Sequence, residues 1–241
     1  MIESQRNANF PATQWSIILR AGGASSVPTH EALEALCRIY WPPLYAFLRR
    51  NGSDPHEAED IVQGFLARLL ERNDLASVGP DHGRFRSYLL AGLRNYLVSE
   101  VRRDSAQKRG GGAAVLSFDS EEAESSCSGV IAAGLPPDQA FDRRWAEMIL
   151  ERAVEALRRE HFARGKSDFF ETLKPSLAGD TTEHHATWAH DLGMTPGAVT
   201  VAVHRLRARL RELVRLDVAQ TVGSCEEVDE EIRNLLAILS R

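Results

Sequence analysis

The run from Thr182 to Asp191 holds Glu183, His184, His185, His190 and Asp191, the residue types of a metal-assisted hydrolase. A zinc hydrolase needs two histidines one helical turn apart, with an acid between them. Here His184 and His190 are six positions apart, and His185 and His190 five, so neither pair has the i, i+4 spacing. The sequence also has no glycine-rich phosphate loop and no nucleophile elbow. Its three cysteines, Cys37, Cys127 and Cys225, form no CxxC pair and no disulfide framework, as in a reducing compartment. The reading is a binding protein, not an enzyme, with no cofactor and no metal.

Two stretches suit binding. In the first, Asp54 is an N-cap, Pro55 suits the first helical position, and Glu57 completes a capping box. Ala58, Ile61, Val62, Phe65, Leu66, Leu69 and Leu70 then keep helical spacing and form one apolar stripe. Asp60, Gln63, Gly64, Ala67 and Glu71 fall opposite it. A second amphipathic helix follows from Arg84, carried by Phe85, Tyr88, Leu89, Leu93, Tyr96 and Leu97. Between Arg84 and Arg109 stand seven Lys or Arg and two acids, in a chain of net charge -5. That local reversal of sign, interleaved with Tyr88, Tyr96 and Asn95, is a nucleic-acid footprint. The cations would neutralise phosphates, and aromatic faces stack on unpaired bases.

The other stretch runs from Thr182 to Arg215. It reads as a helix, a tight turn containing Gly193, and a second helix capped by Thr195 with Pro196 at its first position. Val199, Val203, Leu206, Leu210 and Leu213 form the core stripe of that second helix. Thr200, His204, Arg207, Arg211 and Arg215 project away from it, with Arg205 and Arg209 flanking. This is helix-turn-helix grammar, in which the second helix reads duplex DNA.

These residues carry a resemblance. Ala58 to Gln63, Phe85 to Leu89, Leu93-Arg94-Asn95 and Arg102-Arg103 resemble region 2 of bacterial RNA polymerase sigma factors of the extracytoplasmic-function group. Leu192 to Thr195, Ala198-Val199 and His204 to Arg207 resemble region 4. The resemblance implies that Asp60, Gln63, Ala67 and Glu71 bind core RNA polymerase. It implies that Arg86, Tyr88, Asn95, Arg102, Arg103, Lys108 and Arg109 capture the melted minus-10 element. It assigns the minus-35 duplex to Thr195, Gly197, Thr200, His204, Arg205, Arg207 and Arg211. Promoter DNA and core polymerase are then the partners, with an anti-sigma protein as a further regulator known in the family. Three positions depart from region 4, where Thr200 and Ala202 replace basic residues and Thr187 replaces an acid. In region 2, Leu66 stands where a Phe is usual.

The elements that must position these residues are read as all-α, in two helical domains. Residues 1–28 form an N-terminal extension with a short helix near Thr13 to Leu19, and 29–112 the region 2-like domain. Within that domain a helix after Thr29 is interrupted by Pro42-Pro43 and ends at Asn51-Gly52. Residues 113–137, rich in Ser, Gly and acids, read as a flexible acidic linker. The region 4-like domain spans 138–216, opening on a helix from Asp138 to near His161. The tail, 217–241, holds six acids against two Arg, and residues 226–240 read as an extra amphipathic helix that folds back on the second domain or binds a regulator, packing within the chain being favoured because an exposed apolar stripe is a liability. No segment approaches the roughly 20 apolar residues of a membrane helix, and no signal-peptide core is present, so the expected location is the cytoplasm. The alternative reading is a one-component regulator that binds DNA through the helix-turn-helix alone.

Overall fold

The computed structural model describes residues 30–71, 85–104, 120–179, 182–219, 221–222 and 225–240. Among them every regular element is helical. The α-helices are α1 (His30–Arg50), α2 (Pro55–Glu71), α3 (Phe85–Asp104), α4 (Ser120–Ala132), α5 (Pro137–Phe162), α6 (Ser167–Leu173), α7 (His185–Asp191), α8 (Pro196–Ala219) and α9 (Cys225–Leu239). Two short 3-10 turns, Lys174–Leu177 and Thr182–His184, join α6 to α7. The chain divides into two compact units. One comprises the residues up to Glu147 together with those from Ala219 onward, and the other is Met148–Val218.

The first unit is built around α1. Tyr40, Trp41, Leu44, Tyr45 and Leu48 are at most 1% exposed, and Trp41 stacks on Tyr45 at 4.9 Å. Burying such side chains contributes about 1.5–3 kcal/mol each. That packing explains why Pro42 and Pro43 do not interrupt the helix as expected. Both lie inside α1, which runs unbroken to Arg50. At Asn51-Gly52 the helix stops as the sequence indicated, with the Asn51 and Ser53 amides donating to Phe47 and Leu48 carbonyls. The α2 cap is also as read: the Glu57 amide donates to Asp54 Oδ1 at 2.9 Å.

The region read as a linker is helical over Ser120–Ala132 and tied to α1. Glu124 accepts from Arg49 Nη2 at 2.8 Å and from the Tyr45 hydroxyl. Cys127 and Val130 are buried, and the Cys127 thiol donates to the Pro42 carbonyl. Arg50 donates to the Ile131 and Leu135 carbonyls and so caps the end of α4. Linker composition therefore gave the wrong expectation here. Glu124, Cys127 and Val130 recur every three residues, enough to make one bound face on an otherwise polar helix.

In the second unit one core gathers Leu157 from α5, Phe170 and Leu173 from α6, Trp188 and Ala189 from α7, and Val199, Val203, Leu206 and Leu210 from α8. The α8 stripe read from the sequence is this core face. The tail is another correction. Its helix, α9, clusters with the first unit, not with the helix-turn-helix. Residues 1–29 and 105–119, including the expected helix at Thr13 to Leu19, lie outside the described residues.

Candidate nucleic-acid interface

Two helices position the first candidate surface. Phe65 of α2 meets Tyr96 of α3 edge to face at 5.9 Å, and the Arg68 guanidinium lies 5.6 Å from the same ring. Arg68 also donates to Ser99 Oγ at 2.9 Å. The close approach needs Gly64, because a Cβ there would come within 2.4 Å of the Tyr96 hydroxyl. Between the helices opens a cavity of about 340 Å³, walled by Phe65, Arg68, Tyr88, Asn95 and Tyr96 among others. It offers aromatic faces, an amide and a cation together, the groups that hold an unstacked base.

The expected minus-10 residues separate in this structure. Asn95 is exposed, and Tyr88 is half-buried and stacks on Phe85 at 6.0 Å. Arg102 and Arg103 lie on the last turn of α3, while Lys108 and Arg109 fall outside the described residues. Arg86 does not lie where the reading needs it. It is 9% exposed, its Nε donates to Glu231 of α9 at 2.8 Å, and Nη1 pairs with Asp142 of α5. The Trp145 ring lies 4.8 Å from its guanidinium. An arginine so enclosed is held by protein carboxylates and not offered to phosphate. Arg94, exposed, is a basic residue that the sequence did not single out for DNA contact. It pairs with Asp138 and lies 5.8 Å from the Phe47 ring. Helical spacing could have found it, since Leu93 and Leu97 hold the apolar stripe and leave Arg94 on the outer side with Asn95.

Of the residues expected to bind core polymerase, Asp60 is exposed, and Gln63 is half-buried, with Nε2 donating to Glu59 Oε1 at 3.1 Å. Ala67 is half-buried beside them, and Glu71 closes the helix. Asp60 thus presents an open carboxylate on the face opposite Val62, Phe65 and Leu69, which are buried.

The second surface is the helix-turn-helix. The turn forms because Gly193 adopts φ +62°, a conformation that costs a side chain steric energy. The Met194 amide donates back to Ala189 at 2.8 Å. Thr195 Oγ1 accepts from the Ala198 amide and starts α8, as read from the sequence. Thr195, Gly197, Thr200, His204, Arg205 and Arg211 are all exposed. Arg207 is again different. Its Nε donates to the Ser176 carbonyl at 2.9 Å, and Nη2 to the Gly179 carbonyl, so it caps the turn after α6. Arg209 binds Glu160 and Glu212, which raises its pKa and lowers that of Glu160 through their hydrogen bond. The histidines of the rejected hydrolase reading lie apart in role. His184 and His185 rest on Trp188, and His190 pairs with Asp191. Among the described residues no three potential metal ligands stand together, and no helix is long and apolar enough to cross a membrane.

Residues 36–107 of the 241 match the family model for sigma-70 region 2. The match spans α2 and α3 and most of α1. The matched segment, under a third of the chain, is similar to region 2 of sigma-70 factors, which act in promoter recognition and transcription initiation. No curated protein and no solved structure matches the chain.

Proposed function

We propose that this chain is a sigma factor of the extracytoplasmic-function group, which docks on core RNA polymerase and carries it to a two-part promoter. The observation that carries this reading is the coincidence of the region 2 match with the α2–α3 pair, where an exposed Asp60 and an aromatic cavity sit on one small helical unit. The first unit binds core polymerase through Asp60, Gln63, Ala67 and Glu71. Tyr88, Asn95 and Tyr96 take unpaired minus-10 bases, with Arg102 and Arg103 on the strand phosphates. Base capture costs a few kcal/mol of unstacking, which stacking and phosphate neutralisation offset. The second unit reads the minus-35 duplex with Thr195, Gly197, Thr200, His204, Arg205 and Arg211. Arg86 and Arg207 leave the DNA-contacting set, since both hold the fold together.

Co-elution with core RNA polymerase on a sizing column tests this. The wild-type chain is expected to co-elute, and Asp60→Ala with Gln63→Ala to weaken the complex. A chain that ignores core enzyme yet binds duplex DNA alone would be the one-component regulator instead.

A further inference from the structure

One pair of side chains bridges the two helices of the helix-turn-helix on its exposed side. His185 opens α7, and its Nδ1 lies 3.1 Å from Thr200 Oγ1 in the second turn of α8. The Thr200 hydroxyl donates to the Pro196 carbonyl at 3.1 Å. A hydroxyl carries a single proton. With that proton committed to Pro196, Thr200 accepts from His185, and the neutral ring is fixed as the Nδ1–H tautomer.

His185 is itself held. Its ring lies 5.8 Å from Trp188, which is 8% exposed and part of the second unit's core. Thr200 is exposed, on the same outer stripe of α8 as His204. A threonine that rotates freely can donate or accept, and so pairs with any base edge. One held as Thr200 is held can only accept. In the major groove the exposed amino donors belong to adenine N6 and cytosine N4, while guanine O6 and N7 and thymine O4 are acceptors.

We propose that His185 is a specificity-setting positioning residue: by donating to Thr200 it keeps that hydroxyl an acceptor for the amino group of adenine or cytosine in the major groove. The inference rests on the duplex-reading role given above to the second unit.

The test uses the full chain with core RNA polymerase and a pool of duplexes randomised across the minus-35 segment, sequenced after binding. Wild type is expected to enrich an amino-bearing base at one position. His185→Ala should cut that preference about tenfold, the size of one good base contact. His185→Asn should keep it, since its amide N–H stands where Nδ1–H stood. Thr200→Val should abolish it, and adding His185→Ala to Thr200→Val should change nothing more. A preference is a ratio between sequences, so partial unfolding of a variant does not move it. The inference is overturned if His185→Ala leaves the ratio unchanged, or if His185→Asn loses as much as His185→Ala. If wild type itself enriches no duplex motif, the duplex-reading role fails first and the inference with it, a result visible before any substitution is made.

Discussion

Glu231 is 1% exposed, and its carboxylate meets both Nε and Nη2 of Arg86. Removing one partner of a buried pair leaves the other charge without compensation and costs about 3–5 kcal/mol, whereas replacing both by apolar groups is often neutral. Asp142 would still face Arg86, so Glu231→Leu is expected near the lower end, about 3 kcal/mol. Combining it with Arg86→Met should restore most of the loss, in urea unfolding followed through the fluorescence of the buried Trp41 and Trp145. A double variant no more stable than Glu231→Leu would mean the pair is not what holds these helices. Gly64 permits a sharper sign test. Alanine is favoured over glycine in a helix by about 1 kcal/mol. Here the added methyl would meet the Tyr96 hydroxyl at 2.4 Å but the ring carbon beneath it at 3.4 Å. Gly64→Ala should therefore destabilise the wild type by about 1–3 kcal/mol, as overpacking does. In a Tyr96→Phe background the same change should be neutral or stabilising. Equal effects in both backgrounds would remove the hydroxyl as the cause.

Between elements, α5 and α8 are joined by Arg209, whose Nη2 lies 2.6 Å from Glu160 Oε1. The hydrogen bond from Arg209 holds Glu160 below its ordinary value of 4.5, against a smaller opposing effect of burial. A carboxylate with a depressed folded pKa contributes stability above its unfolded pKa, and that contribution fades as pH falls through the folded one. Glu160→Gln should thus be less stable than wild type at neutral pH, by the modest amount of a partly exposed pair, about 0.2–1 kcal/mol. The difference should shrink as pH drops below 4.5. A gap that stays constant down to acid pH would assign the effect to packing. The same elements show what the sequence made legible. The α2 cap, the α8 stripe and the Gly193 turn depend on neighbours within a few residues, so periodicity and cap chemistry expose them. Pro42-Pro43 misled because a proline reports only its local cost, while the burial that keeps α1 helical through them comes from elsewhere. For α4 the polar composition hid a face whose partners, Tyr45, Arg49 and Arg50, stand some 75 to 85 positions away. Arg86 and Arg207 were read as DNA contacts for the same reason. Spacing showed that each leaves its own apolar stripe, but not which carboxylate or carbonyl would meet it.

At the scale of the whole molecule the question is where the acidic tail belongs. Helical spacing gave α9 an apolar stripe, and the liability of leaving such a stripe exposed suggested that it folds back within the chain, on the second domain. In the structure it joins the first unit, with Val228 and Leu235 buried and Glu231 on Arg86. Ending the chain at Ala219 should therefore leave the second unit intact, since all of α8 and the core residues Leu157, Phe170, Trp188, Val203 and Leu206 lie before that point. The loss should instead fall on the first unit, which gives up the buried Val222, Val228 and Leu235 at about 1.5–3 kcal/mol each, together with the partner of Arg86. Hydrogen exchange locates such a loss, because amides report the opening of their own cooperative unit. In the truncated chain the amides of α3 and of α5 before Glu147 should exchange faster, and those of α6 to α8 should be unchanged. Faster exchange confined to α6 to α8 would return the tail to the second unit. Placed as the structure has it, an acidic helix holds the start of the very helix that carries Tyr88 and Asn95, so the stability of α3 and the presence of the tail should rise and fall together.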